Sequence, residues 1–201
     1  MSAARVLMLR HGQTDWNDAG RFQGSADIPL NAVGVEQARE VADTLAGEGV
    51  SAIVSSDLQR AAVTAQILGE RLGLPVVSDR RVREINVGRW EGLTREEIAA
   101  TDPQHWVPIT QGRDGRHSAT GETATDAGRR VADAVVEHAA ALGSQDTLVV
   151  VGHGLTTRVA ATLLIGLAYP DAHRFGGLGN CHWVALRPGE PLWRLLAYNR
   201  G

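Results

Sequence analysis

Two short, unbroken apolar runs each stop at a histidine beside glycine, and this constrains the fold more than any other feature of the chain. Val6 to Leu9 leads into Arg10-His11-Gly12, and the strand Thr147 to Val151 leads into Gly152-His153-Gly154. Runs this short, without polar alternation, fit strands buried on both faces. The segments between them are periodic. Asn31 caps a predicted helix to about Gly47, with Val33, Ala38, Val41, Ala42 and Leu45 as its apolar positions. Ala52 to Val54 reads as a second buried strand, followed by a helix to about Leu72 with Leu58, Ala61, Ala62, Ala65 and Leu68 on one side. Pro75 to Val77 is a short strand, and Thr94 caps a short helix to about Ala100. Thr123-x-x-Asp126 opens a helix to about Leu142, and Leu155 to Leu167 forms another. Trp183 to Leu186 and Trp193 to Tyr198 read as late strands. Strands alternating with helices predict an α/β fold built of parallel βαβ units covered on both faces. No repeat or linker interrupts the pattern, so one domain is expected over residues 1–201. Residues 12–30 and 101–121 lack a period and are expected to be loops. A loop as long as the second, inside a compact domain, is usually functional or mobile. Ligands of such sheets bind beyond the carboxyl ends of the strands, where His11 and His153 are both predicted to lie and to face each other.

Composition narrows the function classes. A formal net charge of -3 offers no basic field for nucleic acid or anionic lipid. The first apolar run stops at Arg10, too short for a signal peptide or a membrane span, so a cytoplasmic protein is expected. One cysteine, Cys181, cannot form an internal disulfide. All 20 basic residues are arginine, and the absence of lysine excludes a phosphate-loop, Schiff-base or pyridoxal-phosphate lysine. The seven histidines form no H-x3-H pair and the aspartates are scattered, so neither a metal nor another cofactor is expected.

Four motifs carry candidate chemistry, and each alone has a bland reading. Arg10-His11-Gly12 offers a nucleophile with a cation beside it, or only a loop histidine. Gly152-His153-Gly154 opens a helix whose backbone N–H groups favour an anion, with Gly154 at its start. Arg60, in Ser55-Ser56-Asp57-Leu58-Gln59-Arg60, presents a planar fork suited to phosphate, or is a solvated helical arginine. Glu84 is a candidate proton donor to a leaving oxygen, or one half of a surface ion pair. Taken together they supply cations, two histidines and one acid at strand ends, which is what cleavage of a phosphate monoester requires. A decoy competes: Cys181 to Arg187 has the C-x5-R spacing of cysteine-dependent phosphatases. Its intervening residues contain no glycine and read as a strand, not as a loop whose amides wrap phosphate.

Leu9-Arg10-His11-Gly12-Gln13-Thr14 with Asn17 resembles the opening signature of the histidine phosphatase superfamily, which includes cofactor-dependent phosphoglycerate mutases. Arg21-Phe22-Gln23-Gly24, Pro29-Leu30-Asn31 with Gly34, the Ser55 to Ala61 block with Thr64-Ala65, Arg83-Glu84 with Gly88, Trp90-Glu91-Gly92 and Val151 to Gly154 follow in family order. The resemblance covers nearly the whole chain. It implies a mostly parallel mixed sheet with helices on both faces and a metal-independent reaction through phosphohistidine. His11 would attack and Glu84 would be the acid. Arg10, Asn17, Arg60 and His153 would bind the phosphoryl group, with Gln23 and the Gly24 amide touching its oxygens. Gly177-x-Gly179-Asn180 is similar to glucosyl-3-phosphoglycerate phosphatases of actinobacteria, although His182 departs from the small polar residue often found there.

The resemblance points to a phosphatase acting on a small-molecule phosphate ester, a sugar phosphate or a phosphoglycerate type, with a homodimer left open. A mutase is the nearest rival, and an inactive regulatory member is disfavoured by the intact His11, Glu84 and His153. The stretch after Glu84 is short and lysine-free, carrying Arg89, Arg95, Arg113 and Arg116, and Gly112, Gly115 and Gly121 are expected to make it loose. A loose cover admits water and favours hydrolysis. Specificity is expected in residues 101–121 and near Asn180.

Overall fold

The structure, a computed structural model describing residues 2–201, contains one six-stranded sheet in the order β3-β2-β4-β1-β5-β6. The strands are β1 (Arg5–Arg10), β2 (Val50–Ser55), β3 (Val76–Ser78), β4 (Thr147–Gly152), β5 (Trp183–Arg187) and β6 (Arg194–Arg200). β1 to β4 run parallel, while β5 and β6 are antiparallel additions beside β1. The helices are α1 (Asp15–Asp18), α2 (Ala32–Leu45), α3 (Gln59–Leu72), α4 (Arg95–Thr101), α5 (Pro103–Thr110), α6 (Ala124–Ala140), α7 (Gly154–Leu164) and α8 (Tyr169–Ala172). The fold is thus the α/β arrangement expected, a mostly parallel mixed sheet covered on both faces. No helix of the described residues is long and apolar enough to cross a membrane.

Strand pleating sends alternate residues into two cores. Leu7, Leu9, Val149 and Val151 pack under α2 and α3. Val6, Met8, Leu148 and Val150 pack under α6 and α7. That double burial is why these strands read as continuous apolar runs. A third cluster, outside the sheet, gathers Ile85, Val87, Trp90, Ile98 and Ile109 with the start of α6.

β1 and β4 are neighbours in register, Arg10 opposite Gly152. From β1 the chain turns to the α2–α3 face, and from β4 it enters α7 on the other, so the crevice of a parallel sheet opens between them. The turn after β1 is fixed by close backbone approach. A Cβ on Gly12 would meet the Gly34 carbonyl oxygen at 2.3 Å, and one on Gly34 would meet that of Gln13 at 2.0 Å. The loop therefore lies directly on the first turn of α2, whose cap Asn31 accepts from the Gly34 amide.

Two segments expected to be loops are partly helical. In residues 12–30, Thr14 and Asn17 form a reciprocal capping box around α1. In residues 101–121, Asp102 and Pro103 begin α5, and Trp106 stacks edge-on against Phe22 and Trp90. His117 and Ser118 are fully buried. The stretch is anchored at Ile109, His117 and Ser118, while much of the rest of it is exposed.

Candidate active site

The carboxyl ends of β1 and β4 open into a cavity of about 310 Å³. His11 sits on its wall, 3% exposed. Its Nδ1 lies 2.6 Å from the Gly12 carbonyl oxygen, which can only accept, so Nδ1 carries the hydrogen. Nε2 is left with its lone pair. Burial, reinforced by the positive charge of Arg10 and Arg60, holds the His11 pKa well below its ordinary value of 6.5. The ring is therefore neutral and oriented at neutral pH, the state in which an imidazole nitrogen can act as a nucleophile.

Donors left unspent by the protein line the same cavity. Arg10 donates through Nη1 to the Leu178 carbonyl, while its buried Nε has no partner. Gly154 lets Arg10 lie close: a Cβ there would be 3.3 Å from that Nε, tighter than ordinary contact. Arg60, in the first turn of α3, is 0% exposed. Its Nη1 and Nη2 donate to the carbonyls of Ala26 and Gly24, leaving two further hydrogens. Burial pushes its pKa down to about 10, against the pull of Glu84 and Asp27. Gly24 takes φ +52, and a Cβ there would strike Val87 and Glu91, so the backbone at this turn requires glycine. Gln23 lines the cavity with its Oε1 buried and unpartnered.

The orientation of Asn17 follows from its partners. Its Oδ1 accepts from the Thr14 amide, the Thr14 hydroxyl and Asn180 Nδ2, each at 3.2 Å. The Nδ2 donor is what remains for a ligand. Asn180 also donates to the His11 carbonyl at 3.0 Å. Next to it, the Cys181 amide donates to the carbonyls of Arg10 and His11.

Glu84 reaches the start of α7. Its carboxylate accepts from the amides of Ile85, Leu155 and Thr156 at 3.0, 3.1 and 3.0 Å. The Leu155 and Thr156 bonds complete otherwise open N–H groups at the start of α7, and all three fix the carboxylate on the cavity wall. No group of three or more His, Cys, Asp or Glu side chains among the described residues is disposed to hold a metal ion.

A sequence profile of the histidine phosphatase superfamily (branch 1) matches residues 6–201. The chain belongs to that superfamily. It is 37% identical to the glucosyl-3-phosphoglycerate phosphatase of Mycolicibacterium vanbaalenii over 99% of this chain and 96% of the other. It is 34% identical to the "Probable phosphoglycerate mutase GpmB" of Yersinia pestis over 94% and 87% of the two chains. Among solved structures, a mycobacterial glucosyl-3-phosphoglycerate phosphatase complexed with VO3 superposes with a TM-score of 0.91 at 36% identity, covering 98% and 100% of the two chains. The phosphoserine phosphatase of Entamoeba histolytica, in complex with 3-phosphoglyceric acid, does so at 0.88 and 28% identity, over 98% and 97%.

Within this superfamily member, His11, Glu84, Arg10, Asn17, Gln23, Gly24, Arg60 and Gly154 all line one cavity. His153 does not. Its ring stands 5.2 Å from that of His11, fully buried, with both nitrogens taken inside the protein. Arg60 Nε donates to Nδ1 at 3.2 Å, so the hydrogen is on Nε2, which donates to Ser56 Oγ at 3.0 Å. The sequence reading gave His153 a direct bond to the phosphoryl group, whereas in the structure its link to the site runs through Arg60. Ser56 and Asn180 are the contributors whose roles the sequence did not disclose, although both lie in blocks that resemble the family.

Three further features of the sequence find their place in the structure. No residue of 101–121 lines the cavity. Its far wall instead uses Trp16, Arg21, Arg95, Arg158, Gly177 and Leu178. His182 faces away, 3.2 Å from the Asn199 carbonyl, and lines a separate groove. Cys181 is buried, and burial pushes its thiol up to about 12, which leaves the C-x5-R spacing without a thiolate.

The buried histidines make stability depend on pH. Burial depresses both His11 and His153, with neighbouring cations adding to the effect. Below pH 6.5 the unfolded chain therefore binds protons that the folded chain refuses. Their stabilising contribution is complete above pH 6.5 and is lost as the pH falls toward the folded values. Each should remove up to about 1.4 kcal/mol of stability per pH unit in that window. Calorimetric Tm values should drop between pH 7.5 and 5.5, with a shallower slope in His11→Asn. Equal slopes in both proteins would show that His11 is not held neutral by the fold.

Proposed function

We propose that the chain is a metal-independent phosphomonoesterase that hydrolyses a small phosphorylated metabolite, of sugar-phosphate or phosphoglycerate type, through phosphohistidine at His11. The observation that carries this reading is the pinned His11 ring, with Nδ1 on the Gly12 carbonyl and Nε2 free beside Arg10, Asn17 and Arg60. The substrate phosphoryl group sits among these donors and the α7 start at Gly154. The Nε2 lone pair attacks phosphorus, the bond to the ester oxygen breaks, and Glu84 protonates the departing alcohol. Water then attacks phosphorus, Glu84 takes its proton, the P–N bond breaks, and phosphate leaves a regenerated imidazole. His153 keeps the Arg60 fork in place throughout.

The similarity to a phosphoglycerate mutase supports a second reading, in which a substrate hydroxyl replaces water. Two observations favour water. The 101–121 stretch does not cover the cavity, and two phosphatases are similar to the chain over nearly their full lengths. The deciding experiment supplies 3-phosphoglycerate with a trace of 2,3-bisphosphoglycerate, with and without a chelator. Free phosphate should accumulate, unaffected by the chelator. Rapid formation of 2-phosphoglycerate without phosphate would favour the mutase, and loss of activity in the chelator would overturn metal independence.

A further inference from the structure

Glu84 stands in a segment without regular backbone structure. Residues 84–87 lie between two 3₁₀ turns, Arg80–Val82 and Gly88–Trp90, and Glu84 itself is partly buried. Carbonyls in such a segment have no helix or ladder to accept from and need donors from elsewhere. Arg130, in the second turn of α6, supplies them. Its Nη1 donates to the Arg81 and Arg83 carbonyls at 2.8 and 2.7 Å, and its Nη2 to the Glu84 carbonyl at 3.0 Å. The rest of the fork goes to Glu122, from Nε to Oε1 at 3.1 Å and from Nη2 to Oε2 at 2.9 Å. Glu122 in turn holds Asn86 twice. Its Oε2 accepts from the Asn86 amide, and its own amide donates to the Asn86 carbonyl, both at 2.8 Å. One guanidinium and one carboxylate thus grip the backbone on both sides of Glu84.

An arginine has five N–H donors, and all five of Arg130 have acceptors inside the protein. Arg10 and Arg60, by contrast, keep hydrogens free for a ligand. Arg130 does not line the cavity either, so it has neither the donors nor the place to bind substrate. The other end of Glu84 is fixed by a different helix, since its carboxylate accepts from amides at the start of α7. α6 and α7 are in close contact, where a Cβ on Gly128 would meet Val159 at 2.4 Å. Both anchors of Glu84 therefore stand on one packed pair of helices.

We propose that Arg130, braced by Glu122, is the positioning residue of the acid: it fixes the backbone of Glu84 so that the carboxyl group stays within reach of the departing ester oxygen. This rests on the phosphomonoesterase reading above, in which Glu84 hands its proton to that oxygen. A proton donor has to lie within hydrogen-bond reach of the atom it serves. Loss of the fork strips three carbonyls of their donor at once, and the chain on either side of Glu84 shifts toward other partners. A misplacement of about 1 Å caused away from the chemistry can cost about 10²-fold. Lysine cannot reproduce the fork, because its donors radiate from one nitrogen and cannot span carbonyls and carboxylate together.

The test measures kcat/KM, which reports the step that breaks the ester bond, for an alkyl ester (3-phosphoglycerate or glycerol 3-phosphate) and an aryl ester (p-nitrophenyl phosphate). The proteins are the wild type, Arg130→Gln, Arg130→Lys, Glu122→Gln, and Glu84→Gln with and without Arg130→Gln, all assayed well below their melting temperatures. Arg130→Gln should lower kcat/KM for the alkyl ester by about 10- to 100-fold and leave the aryl ester within about 3-fold of wild type. Arg130→Lys should recover part of the loss, and Glu122→Gln should show a smaller loss with the same bias. In the Glu84→Gln background, Arg130→Gln should cost the alkyl ester less than about 3-fold, because the acid it positions is already gone. If Arg130→Gln does not fold, the bias has to appear in Arg130→Lys and Glu122→Gln. Equal slowing of both esters, no slowing, or a full second loss in the Glu84→Gln background overturns the inference and leaves Arg130 a structural brace. Failure of the wild type to release phosphate from any ester would instead overturn the phosphomonoesterase reading.

Discussion

His11→Ala should lower phosphate release by at least about 10³-fold while leaving the fold intact, because it removes the side chain proposed to attack phosphorus. The bond lost, from Nδ1 to the Gly12 carbonyl, is worth about 1 kcal/mol, and the imidazole removed is one whose charged form the fold disfavours. The backbone of the loop is held independently. The His11 amide donates to the Gly152 carbonyl, the His11 carbonyl accepts from Asn180 and Cys181, and the Gly12 amide donates to Thr64 Oγ1. Loss of activity with an unchanged thermal melt would therefore report on chemistry. Rapid quenching of the wild type should trap protein-bound phosphate that is labile in acid and stable in base, the behaviour of a P–N bond. If His11→Ala keeps most of the activity, the proposed mechanism is wrong.

How far the sequence disclosed this arrangement depends on how local each signal is. β1 and β4 were legible because each is buried on both faces, which leaves a plain apolar run, and the histidines after them were legible because strand ends locate ligand sites in parallel sheets. The helix at 103–110 was obscured by Pro108 in its interior, although Asp102-Pro103 is itself a helix-start pair, with proline at the first helical position. α1 was hidden because four residues, Asp15 to Asp18 with Trp16 its single apolar one, are too few to show a period. The site was legible in residue type but not in partnership. Nothing local reveals that Asn180, far along the chain, fixes the amide of Asn17, or that Ser56 and Arg60 together occupy both nitrogens of His153. Such contacts arise only when β5 is laid antiparallel beside β1, and β2 and β4 are brought side by side. Residues 101–121 stand away from the cavity, which Gly177 and Leu178 near Asn180 do line, for a related reason. Trp106 has aromatic partners in Phe22 and Trp90, so the segment is drawn into the third apolar cluster instead of folding over the cavity.

Glu84→Gln should separate substrates by their leaving groups. Glutamine keeps the shape and one carbonyl oxygen for the amides at the start of α7, but it cannot hand a proton to an alkoxide. General acid catalysis of this kind contributes about 10²- to 10⁴-fold, and only where the leaving oxygen is basic enough to need the proton. Glycerol 3-phosphate, with an alkyl leaving group, should lose about that factor in kcat. An aryl phosphate releases a phenolate that needs little help, and it should lose much less. The glutamine also leaves one of the Leu155 and Thr156 amides without a carboxylate oxygen, a structural cost that falls on both substrates alike. The ratio of the two losses is therefore the informative quantity, since a displaced helix end cannot mimic it. Equal slowing of alkyl and aryl esters would remove Glu84 from the proton transfer while leaving the attack by His11 in place.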